Sequence, residues 1–489
     1  MTAFLIANMA PLMFAALVCF LLLGYPVAFA LAANGIVFGL IGMDLGLINS
    51  QLFQALPERV FGIMRNDTLL AIPFFTFMGL ILERSGMAED LLDTIGQLFG
   101  PIRGGLAYAV IFVGALLAAT TGVVAASVIS MGLISLPIML RYGYDRRVAA
   151  GVIAASGTLA QIIPPSLVLI IMADQLGKSV GDMYAGAFIP GFVLTGLYTG
   201  YIFLVTMINP KAAPALPLEA RSLRGMALVM RSITCLMPPL VLIFLVLGTI
   251  FLGIATPTEG GAMGAAGALI LAMSKRKLEW SLLKQAMDTT AKLSSFVLFI
   301  LVGSTVFGLV FRGVNGDLWV EHLLTGLPGG KLGFLIVVNA LMFVLAFFLD
   351  FFELAFILVP LVGPVAEKLG IDLIWFGVLL GVNMQTSFMH PPFGFALFYL
   401  RSVAPKADYV DKITNKMTAR ITTGQIYWGA VPFVVIQIIM VALVIAFPAL
   451  VLNSLDQSAV VDTTKIQIEV QQNDYGGAGG MYGTTDEKK

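Results

Sequence analysis

Long apolar runs dominate this chain of 489 residues and limit what it can fold into. A helix needs about 20 consecutive apolar residues to cross the hydrocarbon core of a bilayer. Only 11% of the residues are charged, against roughly 25% in soluble domains. The sequence therefore predicts an all-α polytopic membrane protein. The predicted crossings are residues 4–23, 26–42, 69–82, 148–172, 184–208, 232–252, 257–273, 292–311, 373–399 and 426–448.

Two further apolar stretches, 105–140 and 332–367, are each about 35 residues long, which is too long for one crossing. Polar residues interrupt both near the middle, "TTG" at 120–122 in the first and "LDFFE" at 349–353 in the second. We predict that each stretch is a re-entrant helical hairpin whose tip carries these residues. Two ordinary short helices in each stretch are the alternative.

The basic residues predict the orientation of the chain. With the N-terminus outside the cytoplasm, the cytoplasmic loops hold about twice as many Lys and Arg residues as the outside loops. Because positive charge accumulates on the cytoplasmic side, we expect both termini to lie outside. The polar, Gly-rich tail 453–489 is predicted to be disordered.

The composition also excludes several classes of function. A formal net charge of zero gives no reason to expect nucleic-acid binding. The sequence contains neither an HExxH zinc motif nor a P-loop, so we expect neither an enzyme nor an ATPase. The two cysteines lie in apolar segments without metal-ligand spacing, and no cofactor is expected.

Two proline pairs interrupt apolar segments at an offset of 227 residues, Pro164–Pro165 and Pro391–Pro392. Proline removes a backbone donor and disrupts a helix interior, so each pair should break its helix. The same offset relates Pro137 to Pro364 and Gly143 to Gly370. Five crossings and one hairpin in each half insert the second half in the opposite orientation.

The sequence thus predicts an inverted structural repeat with two re-entrant hairpins and two discontinuous helices. The predicted parts are a first repeat, 1–208, with its broken helix at 148–172; a connector, 209–231; a second repeat, 232–448, with its broken helix at 373–399; and the tail.

Paired discontinuous helices in inverted repeats are typical of secondary transporters. At each break, carbonyls and helix ends become free to bind an ion or substrate inside a protein cavity. A simple proline kink is the alternative, but the recurrence beside small polar residues favours a site. The candidate sodium- and substrate-binding residues are Thr121, Gly122, Ser127, Ser156, Gly157, Thr158, Ser166, Asp350, Asn383, Gln385, Thr386, Ser387 and His390.

Oxygen atoms are the ligands that a hard cation prefers. We therefore expect sodium to bind backbone carbonyls near the breaks. Asp350 is a candidate because a carboxylate is costly at membrane depth. His390 could sense protons or be a hydrogen-bonded structural residue. The expected sodium-binding side chains are Thr121, Ser156, Thr158, Thr386 and Ser387.

Long strings of this sequence closely resemble the large membrane subunit of tripartite ATP-independent periplasmic (TRAP) transporters. The resemblance covers about residues 3–450, and "QTSF" and "FGFALFYLRSVAP" are most similar to the branch labelled mannitol/chloroaromatic. The strings include "NDTLLAIPFFTFMGLILERSGMAEDLL", "AASGTLAQIIPPS", "GIATPTEGGAMGA" and "NMQTSFMHPPFGFALFYLRSVAP".

The resemblance implies a sodium-coupled symporter that imports organic acids across the bacterial inner membrane by an elevator mechanism. It also implies two partners, a small four-helix membrane subunit and a periplasmic substrate-binding protein. The hairpins and broken helices would form the moving body, and the other helices the scaffold. A self-sufficient anion symporter of similar architecture is one alternative, and a channel-like or structural membrane protein is another.

The resemblance is imperfect at the predicted site. The typical first hairpin tip of the family reads Ser-Gly-Ser-Ala-Val-Ala-Asp, and the matching positions here run from Thr121 to Ser127. Val123 lacks a hydroxyl, Ser127 replaces a carboxylate, and His390 stands where the family has threonine. Thr121 keeps a hydroxyl, so a sodium-binding role carries over to Thr121 from the family pattern.

Overall fold

The computed structural model describes residues 2–121, 124–221, 223–411 and 413–455, apart from the side chains of Thr120 and Thr121. Gly122, and the predicted tail from residue 456 onward, therefore lie outside the described residues. The helices of the first half are α1 Thr2–Ala7, α2 Met9–Leu22, α3 Val27–Asp44, α4 Gln51–Gln54, α5 Leu56–Met64, α6 Ala71–Arg84, α7 Met87–Leu98, α8 Gly105–Thr121, α9 Val124–Arg141, α10 Arg146–Thr158, α11 Leu167–Leu176 and α12 Val180–Ile208.

The second half is also helical except for one pair of short antiparallel strands, β1 Tyr409–Val410 and β2 Met417–Thr418. Its helices are α13 Gly225–Phe251, α14 Pro257–Ser274, α15 Trp280–Gly313, α16 Gly316–Thr325, α17 Gly330–Leu345, α18 Phe351–Ile357, α19 Val359–Lys368, α20 Leu373–Met384, α21 Thr386–Met389, α22 Phe395–Val403, α23 Thr423–Ala446 and α24 Ala449–Leu452. Short 3₁₀ turns lie at Asp67–Leu70, Leu159–Gln161 and Leu218–Ala220.

Six described helices are long and apolar enough to cross a membrane on their own. Two bent pairs would raise that number to eight, one of them combining α16 with α17 at an angle of 118°. The prediction of an all-α polytopic membrane protein is therefore confirmed. The six helices are α3, α9, α12, α13, α15 and α23.

The same turn begins α10 in the first half and α20 in the second. Gly143 and Gly370 have positive φ angles of 80° and 66°, which glycine adopts without steric cost. The following aspartates are the N-caps, with Asp145 accepting from the N–H of Arg147 at 2.8 Å. Asp372 accepts from the N–H of Trp375, also at 2.8 Å. A side-chain acceptor at the N-cap satisfies a donor that the first turn leaves free.

The helix bounds of the two halves recur at the offset of 227 residues. Helix α10 ends at Thr158 and α20 at Met384, one residue before the equivalent position. Helix α9 spans Val124–Arg141, and the equivalent residues 351–368 form α18 and α19. The order of these elements is thus the same in both halves, and their inverted relation stays a prediction.

The region between the halves differs from the predicted connector. Helix α13 begins at Gly225, inside the stretch 209–231, and continues to Phe251. The last residues of the predicted connector therefore belong to this helix. A third proline pair, Pro238–Pro239, lies inside α13 and leaves it continuous to Phe251. A proline pair alone is therefore not sufficient to break a helix in this chain.

Candidate functional site

The first break separates α10 from α11 in the interior of the protein. A 3₁₀ turn follows Thr158, and the chain then passes through Pro164–Pro165 to Ser166, the residue before α11. The side chains of Ser156, Thr158 and Ser166 have no solvent exposure. Ser156 Oγ donates to the Val152 carbonyl at 2.6 Å, and Thr158 Oγ1 donates to the Ala155 carbonyl at 2.8 Å. Ser166 Oγ donates to the carbonyl of Gln161 across the break.

The second break separates α20 from α22 and has the same kind of hydrogen bonds. Thr386 Oγ1 donates to the Asn383 carbonyl, and Ser387 Oγ donates to the Met384 carbonyl, both at 2.7 Å. The side chain of Asn383 donates to the backbone and side-chain oxygens of Asn339 in α17, at 2.8 and 3.0 Å. These contacts attach the second break to the first arm of the second hairpin.

A direct hydrogen bond joins the two breaks. Gln385 Nε2 donates to the carbonyl oxygen of Thr158 at 3.3 Å, across a sequence separation of 227 residues. The N–H of Ile162 does not compete for this carbonyl, because it donates to Leu159 at 3.1 Å. The end of α10 therefore meets the end of α20 through a carbonyl at the break.

The first helical hairpin, α8 and α9, packs directly against the first break. A Cβ atom added to Gly114 would lie 2.6 Å from Ser156 Cβ. A Cβ on Gly157 would lie 2.3 Å from Val128 Cγ2, so both contacts require glycine. Ser127 is buried in α9, on the second arm of this hairpin. The side chain of Thr121, predicted at the hairpin tip, lies outside the described part of the chain.

Asp350 lies at the tip of the second helical hairpin, formed by α17, α18 and α19, as the N-cap of α18. Its Oδ1 accepts from the N–H of Glu353 at 2.9 Å, and Glu353 Oε2 accepts from the N–H of Asp350 at 3.0 Å. This reciprocal capping box satisfies two free donors at the start of a helix. Asp350 thus has a structural role at the tip in addition to its predicted role in transport.

His390 lies in an aromatic environment beside the second proline pair. Its ring stacks on Phe347 at a centroid distance of 4.1 Å and meets the edge of Phe343 at 4.3 Å. The residue is 1% exposed. The contacts of His390 with these two phenylalanines pack the second break against the tip of the second hairpin.

Sequence reasoning missed Gln161, which ends the 3₁₀ turn of the first break. Its side chain is 1% exposed, and neither its amide nitrogen nor its oxygen has a partner in the described part of the chain. A buried polar group without a partner costs about 1–3 kcal/mol. Its position in "GTLAQIIPP", immediately before the proline pair, was the available signal. The amide oxygen of Gln385 is likewise unpaired among described residues.

Oxygen atoms dominate the potential ligands around the two breaks. No group of three or more His, Cys, Asp or Glu residues within the described ranges could hold a metal ion. Each hydroxyl that donates to a carbonyl keeps lone pairs that can bind a cation. The donor set therefore fits a hard cation better than a transition metal.

Two cavities flank the second helical hairpin where it faces α15. The first measures about 690 Å³ and is lined by Glu353 of the hairpin and Lys292 of α15. The second measures about 410 Å³ and is lined by Asp174, Arg312 and Lys368, among others. Between them, Ser304 of α15 donates to the Phe356 carbonyl at 2.8 Å. The hairpin also packs against α15 through apolar side chains, because the rings of Phe296 and Phe352 meet edge to face at 5.9 Å.

One motif typical of hydrolases is present but is used as a turn. "GKSVG", residues 177–181, matches Gly-x-Ser-x-Gly and connects α11 to α12. Gly177 ends α11 in the left-handed conformation, and Ser179 is the N-cap of α12. Because a nucleophile elbow joins a strand to a helix, this serine is not in the context that the motif requires.

Discontinuous helices that meet inside an all-α membrane fold define this chain as a multi-pass membrane protein of the transporter class. Comparison with known proteins agrees. The family described as "Tripartite ATP-independent periplasmic transporter, DctM component" matches residues 14–450. The chain belongs to this family, and several of its relatives are named as TRAP transporter large permease proteins.

Individual relatives support the same assignment. A C4-dicarboxylate TRAP transporter large permease protein from Pseudomonas aeruginosa is 30% identical over 81% of this chain and 88% of that protein. An isethionate TRAP transporter permease protein, DctMQ, from Oleidesulfovibrio alaskensis is 28% identical over 84% of this chain and 63% of that protein. In its fold, the chain is similar to the YdaH transporter of Alcanivorax borkumensis. That likeness has a TM-score of 0.58 and 15% identity, over 82% of this chain and 90% of that one.

Proposed function

We propose that this chain is the membrane permease subunit of a sodium-coupled secondary transporter that imports organic acids. In this proposal a periplasmic substrate-binding protein delivers the substrate, and a small four-helix membrane subunit completes the assembly in the bacterial inner membrane. The names of the relatives support this substrate class, because C4-dicarboxylates and isethionate are both small organic anions.

The observation that carries the proposal is the meeting of the two breaks through Gln385 and Thr158. A transporter that binds its substrate near the midplane needs released backbone groups from both halves at one place. A proline kink in an isolated helix would not require a partner break. The unpaired amide of Gln161 adds both a donor and an acceptor beside this junction.

Sodium is the proposed coupling ion because the hydroxyls at both breaks already donate their protons to carbonyls. Ser156, Thr158 and Thr386 each make such a bond, so only their lone pairs remain for a ligand. A cation uses lone pairs, whereas a carboxylate needs donors. Ser387 has the same arrangement, and Thr121 joins this group from the family resemblance.

The proposed movement is an elevator in which the two helical hairpins and the two broken helices slide as one body. Sliding keeps the Gln385–Thr158 and Asn383–Asn339 hydrogen bonds intact, whereas a local gate would break them in each cycle. Sliding would release the hydrogen bond that Ser304 of α15 donates to the Phe356 carbonyl of the second hairpin.

The test is uptake of radiolabelled C4-dicarboxylate and isethionate into proteoliposomes. The chain is reconstituted with a candidate small subunit, with and without a candidate substrate-binding protein, and with either an inward sodium gradient or an equal potassium gradient. We expect uptake only with the binding protein and sodium together. Uptake without the binding protein would favour a self-sufficient symporter, and equal uptake with potassium would overturn sodium coupling.

A further inference from the structure

A short β-hairpin, residues 409–418, projects between two helices of the membrane domain. It follows α22, which ends at Val403, and precedes α23, which begins at Thr423. Helix α23 is long and apolar enough to cross a membrane. The β-hairpin therefore lies just before the start of this crossing in the chain, where we expect the boundary between hydrocarbon and water.

The β-hairpin exposes three large apolar side chains on a loop that is otherwise polar. Val410, Ile413 and Met417 are 54%, 69% and 72% exposed. Val410 pairs directly with Met417 across the two strands, so their side chains lie next to each other on one face. Ile413 lies in the turn between the strands. Clustered apolar side chains of this size at a loop tip indicate a binding surface.

Basic residues lie within the β-hairpin and on both sides of it in the chain. Lys406, Lys416 and Arg420 are exposed, and none of them forms a salt bridge with another residue described in the structure. The exposed carboxylate nearby is Asp408, whose Oδ1 accepts from the N–H of Arg420 at 2.8 Å. Apolar side chains bordered by excess positive charge are typical of segments that bind anionic membrane surfaces.

Hydrogen bonds hold the turn of the β-hairpin, while the side chains of Val410, Ile413 and Met417 stay exposed. Arg141, the last residue of α9, donates from Nε to both carboxylate oxygens of Asp411 at 3.0 Å. Thr414 donates to Asp411 Oδ2 from its N–H at 2.9 Å and from its hydroxyl at 2.7 Å. The β-hairpin is thus attached to the first helical hairpin and presents a preformed surface.

We propose that the tip of this β-hairpin inserts into the membrane interface, with Val410, Ile413 and Met417 among the acyl chains. Lys406, Lys416 and Arg420 bind anionic lipid headgroups. The partner is a lipid surface because the apolar tip and the basic border lie at the membrane boundary. This site needs only the membrane embedding of the chain, so it does not depend on the proposed transport activity.

The test places a fluorescent probe at the tip. Cys19 and Cys235 are replaced by alanine, and Ile413→Cys is labelled with an environment-sensitive dye in lipid nanodiscs. One set of nanodiscs contains phosphatidylcholine alone, and the other contains phosphatidylcholine and phosphatidylglycerol in equal parts. Brominated acyl chains quench dyes that enter the hydrocarbon. Glu219→Cys, on the exposed loop before α13, is the matched control.

We expect the dye at residue 413 to shift to shorter wavelength and to be quenched severalfold more strongly than the dye at residue 219. Replacing Lys406, Lys416 and Arg420 by glutamine should reduce that quenching with phosphatidylglycerol and leave it unchanged without it. An aqueous spectrum at residue 413 in both lipids would overturn the proposal. Quenching that is equally strong with and without phosphatidylglycerol would overturn the headgroup assignment. A shift in the emission of the dye that occurs only when the small subunit is present would overturn the lipid assignment and make the surface a protein interface.

Discussion

Each described hydroxyl side chain beside the two breaks donates its proton to a backbone carbonyl, and this limits what it can do next. Thr386 and Ser387 donate to carbonyls of Asn383 and Met384, one turn earlier. In an ordinary membrane helix such a bond only gives the hydroxyl group a hydrogen-bond acceptor within its own helix. Beside a break, the same bond leaves only the lone pairs of the hydroxyl oxygen for a ligand. This limit makes the sodium assignment testable residue by residue.

Thr386→Val removes one oxygen while keeping the shape of the side chain. We expect the sodium concentration for half-maximal uptake to rise about tenfold, equivalent to about 1.4 kcal/mol of binding free energy. The matched control is Thr249→Val in α13, because Thr249 makes the same type of bond to Leu245 on an exposed face. Equal sodium dependence in both variants would remove Thr386 from the site.

Gln161→Leu replaces an unpaired buried amide with an apolar side chain of similar size. We expect transport to fall at least tenfold, in line with the loss of more than about 1.4 kcal/mol. The free energy of unfolding should not fall, because no hydrogen bond of the described residues is lost. Gln97→Leu is the matched control and should lower the free energy of unfolding. It removes two hydrogen bonds, because Gln97 donates to the Asp93 carboxylate and accepts from the N–H of Leu223. Lower stability of the Gln161 variant, with transport intact, would show that the amide is structural.

Asp350→Asn separates the charge of this residue from its capping role. Asparagine is as good an N-cap as aspartate, so the unfolding temperature should stay near that of the wild type. Asp350→Ala should lose about 1 kcal/mol of stability because the cap is removed. We expect Asp350→Asn to reduce uptake across a range of pH values. Full uptake by this variant would leave Asp350 as a capping residue alone.

At the scale of elements, the contact between α9 and the β-hairpin should be sensitive to acid. Hydrogen bonds from Thr414, followed by the contact with Arg141, lower the pKa of Asp411 to about 2. An aspartate in an unfolded chain has a pKa of about 3.9. A lowered pKa in the folded state stabilises the protein above the unfolded pKa, and this stabilisation disappears as the pH falls toward 2.

We therefore expect Asp411→Asn to lower the unfolding temperature at neutral pH by an amount that stays constant down to about pH 5. The difference from the wild type should then shrink between about pH 4 and pH 2. Arg141→Gln should reproduce part of the loss, because it leaves the Thr414 hydrogen bonds in place. Thermal unfolding in detergent, followed by circular dichroism, measures both variants. A difference that is independent of pH would contradict the assignment.

The elements could be predicted largely from the sequence because a membrane requires long, internally satisfied helices. The hairpin stretches 105–140 and 332–367 lie within two residues of the observed helix ends at 105, 141, 330 and 368. The positions of partners could not be predicted. Gln161 is one polar residue among apolar ones, and only the fold reveals that its amide is unpaired. Likewise, Pro238–Pro239 resembles the breaking pairs in sequence, yet its helix remains continuous.

At the scale of the whole molecule, the proposed sliding body has a boundary that crosslinks can test. Lys368 of the second helical hairpin forms a salt bridge with Glu321 of α16, across that boundary. Within the sliding body, a Cβ added to Gly132 in α9 would lie 2.8 Å from Val403 Cγ2 in α22. The two sites differ in whether the elevator would separate them.

A disulfide between Glu321→Cys and Lys368→Cys should stop uptake, and reduction with dithiothreitol should restore it. A disulfide between Gly132→Cys and Val403→Cys should form without loss of uptake. Crosslinking yield on gels and uptake in the same proteoliposomes are the two measurements. Loss of activity with the second disulfide but not with the first would contradict the elevator.

The contact between Thr158 and Gln385 joins two residues that hold the same place in their respective halves. In any arrangement with two-fold symmetry, two equivalent points are separated by twice their distance from the rotation axis. Equivalent residues within hydrogen-bond reach must therefore lie beside that axis. In the predicted inverted repeat, a ligand held there would meet matching backbone from both directions, so the direction of its exit would depend on the surrounding scaffold and not on the residues that bind it.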